Sequence, residues 1–295
     1  MLDPAGQERG EEVHGDDGEG ARPAVDLAAC RELVERARWL VFPGFFRALP
    51  APGTRRGRHL AELGEELRGR LEGLVRGVGR YAGDRGVTPR ETADRFLARL
   101  PAVGELVGLD ARAAYEGDPA ASHPDEVIFC YPGLDAIFSH RVAHELYVLG
   151  VPILPRVLAE QARSRTGIDI HPGACIGQSC FIDHGSGTVI GETTVIGEQA
   201  KIYQGVTLGA KSIRKDAHGR AIRGAKRHPT IGNRVTIYAG AIILGGETHI
   251  GDDCVIAGGV FVTSSVPAGH VVMQPRPELT LRKADAEKEM WGEGI

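Results

Sequence analysis

The 295-residue chain is poor in aromatics (5%) and holds no run of eighteen apolar residues. The missing run argues against a membrane-spanning helix, and the acidic, glycine-rich N-terminus lacks the apolar stretch of a secretory signal. Cysteine is sparse: Cys30, Cys130, Cys175, Cys180 and Cys254 are odd in number, scattered, and include no CxxC pair. Such a set reads as reduced thiols in a cytoplasmic protein rather than as a disulfide framework. Nor is there an excess of positive charge. The net charge is −4, and the first twenty residues hold seven acids against Arg9 alone, so the remainder is near +2. That balance gives no case for nucleic acid as a partner.

What the chain does have is 42% hydrophobic residues, 41 glycines and, from Gly167 to about Val272, an aliphatic residue at every sixth position. The series runs Ile170, Ile176, Ile182; Ile190, Ile196, Ile202, Leu208; Ile231, Ile237, Ile243; Ile250, Ile256, Val262. Neither a helix nor a flat sheet has that period. It marks a parallel β-helix, in which short strands form triangular coils of roughly eighteen residues and each inward aliphatic stacks on the next. The phase breaks three times. Two extra residues fall in Asp183-His184-Gly185-Ser186-Gly187, a long excursion runs from Leu208 to Ile231, and one residue is added at Gly245-Gly246. A solenoid tolerates insertions as surface loops, and these often carry function. The first two breaks are therefore the candidate site.

Before the coil, residues 1–23 have the low hydrophobicity and high charge of a disordered tail. From 24 to 165 the spacing turns helical, with Val25, Leu27, Ala28, Leu33, Val34 and Ala37 on one face and Leu60, Leu63, Leu67, Leu71, Leu74 and Val75 on another. Thr88-Pro89-Arg90-Glu91 reads as a capping box opening a helix through about Leu100. A third set runs from Pro124 to Arg165, with Pro132-Gly133 and Val151-Pro152 as punctuation. After Val272 comes a tail, 273–295, that ends in Met290-Trp291-Gly292-Glu293-Gly294-Ile295.

Asp169 and His184 lie about two faces of one coil apart, or meet at a seam between trimer-related coils. A carboxylate that orients a histidine makes it a working base near neutral pH. The bland reading is polar surface. Arg227 and His228 end a basic loop with Lys211, Arg214, Lys215, Arg220, Arg223 and Lys226; an arginine fork suits a carboxylate, and the cluster suits phosphates. Asp118-Pro119-Ala120 reads most simply as a helix N-cap with proline at the first helical position.

Three stretches carry a resemblance. Thr166 to Ala174, Ile182-Asp183-His184-Gly-Ser-Gly to Gly191-Glu192-Thr193, and Tyr203-Gln204-Gly205-Val206-Thr207-Leu208-Gly209 with Lys226-Arg227-His228-Pro229 closely resemble serine O-acetyltransferase. The likeness reaches back to Asp118-Pro119-Ala120 and Tyr131-Pro132-Gly133 and covers about half the chain. It implies an α+β molecule, in which a helical domain precedes a left-handed parallel β-helix that trimerises and in which trimers often pair into hexamers. It further implies acetyl transfer from acetyl-CoA to L-serine in cysteine biosynthesis, without a metal. By resemblance His184 is the general base and Asp169 its orienting partner. Asp118 and Asp183 contact the serine ammonium side, Arg227 and His228 its carboxylate, and Gly209, Ala239 and Gly258 the CoA arm. Ile295 would dock into O-acetylserine sulfhydrylase. Two other readings compete: a hexapeptide acyltransferase with a different acceptor, and a carbonic anhydrase with His171, His184 and His228 as metal ligands. A third is a scaffold without catalysis.

Overall fold

A computed structural model describes residues 25–79, 81, 86–213 and 215–275. The acidic tail 1–23 and Ile295 lie outside the described residues, as does Arg214 of the basic loop. Six helices come first: α1 (Leu27–Val41), α2 (Thr54–Val78), α3 (Pro89–Gly117), α4 (Pro124–Cys130), α5 (Pro132–Val148) and α6 (Leu154–Thr166). Asp26 caps α1 by accepting from the Ala28 and Ala29 amides at 2.9 Å, which satisfies two of the four amides a helix start leaves open. The expected apolar faces are buried at Leu33, Val34, Ala37, Leu67, Leu71 and Val75, whereas Leu27, at the first turn, faces outward.

Two local expectations give way. Thr88 makes no side-chain cap, and α3 runs on past Leu100 to Gly117 with Pro101 inside it. A proline within a helix costs roughly 3 kcal/mol. Here the buried stripe Phe96, Leu100, Val103, Val107, Ala111 and Ala114 continues through it, and burial of several such side chains at about 1.5–3 kcal/mol each outweighs the loss. The Pro124–Arg165 set divides into three helices at the punctuation that the prolines mark.

Helix α5 is buried on nearly every side and joins the helices to the coil. Gly133 packs so tightly that a Cβ would lie 1.9 Å from the Ile182 carbonyl oxygen. Arg141, also buried, makes a bidentate pair with Asp110 of α3 at 2.7 and 2.9 Å and donates to the Ile176 and Gly177 carbonyls. The Cys180 amide donates to the same Asp110.

The coil consists of three all-parallel sheets. Sheet I holds Asp169–Ile170, Val189–Ile190, Thr207–Gly209, Ile242–Leu244 and Phe261–Val262; sheet II holds Cys175–Ile176, Val195–Ile196, Thr230–Ile231 and His249–Ile250; sheet III holds Phe181–Ile182, Lys201–Ile202, Thr236–Ile237, Val255–Ile256 and Val271–Val272. Each coil visits the sheets in that order, the parallel pattern of a left-handed β-helix. Register makes the insertions visible. Asp169 pairs with Val189, twenty residues on; Val189 with Thr207, eighteen on; Thr207 with Ile242, thirty-five on; Ile242 with Phe261, nineteen on. The inward aliphatics from Ile182 onward are all almost fully buried. A second inward column, four residues after nine of the aliphatics, is small: Ala174, Cys180, Thr194, Ala200, Val206, Val235, Ala241, Cys254 and Val260, all buried.

Candidate functional site

The corner between sheets III and I carries the first insertion. The Asp183 amide still pairs with the Ile202 carbonyl, so the chain leaves sheet III in register. It then folds into a three-residue turn, with the Gly185 amide 2.6 Å from the Asp183 carbonyl and His184 at φ 56°. A non-glycine residue pays for left-handed backbone, and such strain gathers where a side chain must be aimed. Here it holds the His184 ring outward, 70% exposed, with Nδ1 3.7 Å from Asp183 Oδ1.

The helices bring two more groups to this corner. Asp118 is the C-cap of α3, not an N-cap: its Oδ1 accepts from the Ala120 amide at 2.8 Å across Pro119, and no helix follows until Pro124. Proline fits the turn as readily as a helix start, which is why the local pattern misled. Tyr131, in the break between α4 and α5, donates its phenol to Asp118 Oδ2 at 2.5 Å. Those two hydrogen bonds, with His184 nearby, hold the Asp118 carboxyl below its usual range.

The corner between sheets I and II carries the other set. Arg227 donates to Glu192 at 2.5 Å, and Tyr147 of α5 donates to the other Glu192 oxygen at 3.2 Å. Burial pushes the Glu192 carboxyl up, but the Arg227 hydrogen bond and charge bring it below its normal value. His228 is buried beneath Gly191, where a Cβ would stand 2.1 Å from the ring. Its Nδ1 takes the Thr193 amide at 3.1 Å, which leaves Nε2 as the proton-bearing nitrogen of the neutral ring. Burial, then the Arg227 charge, depresses its pKa to about 4. His171 stands at the same corner, its Nδ1 accepting from the Gly173 amide and its pKa lowered by burial and by Arg156.

One chain thus brings together Asp118, Asp183 and His184 at one corner and Arg227 and His228 at another, with the sheet I strand Val189–Ile190 between them. Asp169 joins neither group: its ion pairs are with Arg156 and Arg163 of α6, at 4.0 and 3.8 Å. His171 and His228 stand apart from His184, and no group of three or more His, Cys, Asp or Glu that could hold a metal ion occurs among the described residues. Ala239 and Gly258 lie in one column at the His184 corner. Down it, amide to carbonyl, run Gly205 to Ser186, Gly240 to Gln204 and Gly259 to Ala239, each at 2.9 Å. Tyr203 and Tyr238 stack beside that column with ring centres 5.1 Å apart. Gly209 ends its strand toward the other corner, accepting from Gly245 at 3.0 Å. There the loop 209–227 folds against Gly245–Thr248 around a cavity of about 240 Å³ lined by Lys211, Ile213, Ile222, Lys226 and Arg227. Sequence reasoning gave no role to Tyr131, Tyr147 or Thr193. The signal available was their place inside the stretches that carry the resemblance, Tyr131 before Pro132-Gly133 and Thr193 two residues past Gly191.

No protein-family model matches the chain. It is 54% identical over 184 residues to a plasmid-encoded serine acetyltransferase of Synechococcus elongatus, a match that takes in 62% of this chain and 57% of that relative. The chain thus spans little more than half the length of that protein. It is 50% identical over 164 residues to a serine acetyltransferase of Mycobacterium tuberculosis, covering 56% of this chain and 67% of the relative. Among solved structures, serine acetyltransferase 1 of Entamoeba histolytica, in complex with L-cysteine, superposes with a TM-score of 0.72 at 33% identity, over 84% of this chain and 97% of that one.

Proposed function

Since the chain belongs to the serine acetyltransferase family, we propose that it transfers the acetyl group of acetyl-CoA to the hydroxyl of L-serine, giving O-acetyl-L-serine and CoA. A hydroxyl attacks a thioester poorly unless a base removes its proton and both partners are held in line. His184 takes that proton as the serine oxygen bonds to the thioester carbonyl carbon. The tetrahedral adduct then collapses, the carbon–sulfur bond breaks, and the departing thiolate takes the proton back. The chain's own residues suffice for these proton transfers.

Asp118 and Asp183 receive the ammonium group. Arg227, steadied by Glu192, and the Nε2 proton of His228 receive the carboxylate. Because these sets lie at different corners, the full site forms where the His184 corner of one copy meets the Arg227 corner of the next, in a ring of three. Val189 and Phe261 on the outward face of sheet I, 38% and 63% exposed in the single chain, supply apolar area for that contact. The same seam would set Ala239 and Gly258 opposite a neighbour's Gly209 and its basic cavity, a groove suited to the CoA arm and its phosphates. Within one chain Asp183 is the carboxylate beside His184, so we assign Asp169 to the seam, orienting the neighbouring copy's His184. L-Cysteine, one atom from serine, fits the same acceptor groups, and Ile295 is assigned to docking on O-acetylserine sulfhydrylase. Retention of the sulfhydrylase in a pull-down after deleting Ile295 would sink that last assignment.

The observation that carries the reading is the gathering of Asp118, Asp183 and His184, from segments far apart in sequence, at one corner above the Ala239–Gly258 column. Thiol release from acetyl-CoA with L-serine, L-homoserine and glucosamine as acceptors tests it, on the wild type and on His184→Ala. Release with L-serine alone is expected, and the variant should lose roughly 10²–10⁴-fold in rate while keeping its assembly. Release with another acceptor and not with serine would leave the fold and overturn the substrate.

A further inference from the structure

Tyr131 is constrained by the proline that follows it. Its backbone is extended, at φ −79° and ψ 117°, because Pro132 follows and disfavours a helical conformation before it. The chain therefore bends out of α4 before α5 begins, and the bend turns the Tyr131 side chain back to Asp118, thirteen residues earlier. The contact is a phenol to a carboxylate at 2.5 Å, the short length of a charge-assisted hydrogen bond.

We infer that Tyr131 is a positioning residue for the acceptor: its phenol pins one Asp118 oxygen, so that the carboxylate offers a fixed and charged edge to the acceptor's ammonium group. The inference deepens the proposed function and rests on the role given there to Asp118. Each Asp118 oxygen has one donor, Tyr131 on Oδ2 and the Ala120 amide on Oδ1. A carboxylate has about four acceptor sites, so each oxygen keeps capacity for an ammonium with three donors. Held at both ends, the carboxylate does not turn away when the site is empty, and ordering it on binding costs less.

The surrounding charges fit that role. The groups facing the pair are Glu126, Asp183, His184 and Tyr203. Glu126 is occupied by the amide and hydroxyl of Ser122. The hydrogen bond to Asp118, then burial and the nearby carboxylates, push the Tyr131 phenol up, so it stays protonated and keeps donating. The same bond is the foremost reason that Asp118 stays ionised to low pH.

The experiment is steady-state kinetics of the full chain against pH for the wild type, Tyr131→Phe and Asp118→Asn. Phenylalanine keeps the ring and removes the donor. Tyr131→Phe is expected to raise the KM for serine roughly tenfold, with the KM for acetyl-CoA unmoved. Without its donor Asp118 protonates at higher pH, so the acidic limb of serine binding, read from the serine KM against pH, should shift upward in pH. A tie that merely braces α3 against α4 would move neither quantity, and KM does not depend on how much of a variant folds. If Asp118→Asn raises the serine KM and Tyr131→Phe leaves both KM and limb in place, the inference is overturned while the reading of Asp118 stands. If Asp118→Asn leaves the serine KM unchanged, the reading of Asp118 falls and takes the inference with it.

Discussion

His228 owes its state to its immediate neighbours. It sits under Gly191, takes the Thr193 amide on Nδ1, and has its pKa lowered to about 4 from an ordinary 6.5 by burial and by Arg227. The unfolded chain binds a proton at this residue between those two values and the folded chain does not. Stability from the neutral ring is therefore complete above about pH 6.5 and is lost as pH falls toward 4, by up to about 3 kcal/mol. Denaturant unfolding across that window should show the wild type losing stability more steeply than His228→Asn, whose amide does not titrate; equal slopes would contradict the account. Gly191 could be read in sequence as a hexad glycine, but not as the roof over a histidine, because its neighbour arrives from a loop thirty-seven residues away. His184 was legible in a different way. The break in phase drew attention to it, whereas its left-handed backbone depends on how Asp183 and Gly185 close their turn and leaves no mark in the residue pattern.

At the scale of elements, the coil was the most legible part because one rule repeats: an aliphatic every sixth residue, each stacked on the one before. The small second inward column follows from the same geometry and passed unread, since Ala, Cys, Thr and Val do not stand out as a period. The helices were read less well wherever a proline invited a local rule. Pro101 lies within α3 because apolar burial continues across it, and Pro119 follows a helix end rather than starting a helix. Also beyond reach was the pair that joins the two halves, Asp110 and Arg141, thirty-one residues apart and buried, with exposures of 0% and 5%. Burial pushes the Asp110 carboxyl up and the guanidinium opposes it. Removing one partner leaves the other charge buried without compensation, so Asp110→Ala should destabilise the fold by about 3–5 kcal/mol in urea unfolding. A loss below about 1 kcal/mol would mean that water reaches Arg141 and that the junction is looser than the contacts imply.

For the molecule as a whole, the two corners pose the central question, since Asp118, Asp183 and His184 lie at one corner of a single chain and Arg227 and His228 at another. A rotation that repeats one contact around a ring closes three copies with the same seam between each pair. In the ring proposed here every site would draw its base from one copy and its carboxylate-binding groups from the next. The direct test is to assemble His184→Ala and Arg227→Ala chains together in equal amounts and to measure serine-dependent CoA release against each variant alone. Either variant alone spoils every seam. In random mixed rings about a quarter of the seams pair an intact His184 with an intact Arg227, so activity should return to about a quarter of the wild type. Mixed rings no more active than the separate variants would show that both residues serve within one chain, and the shared site would have to be abandoned.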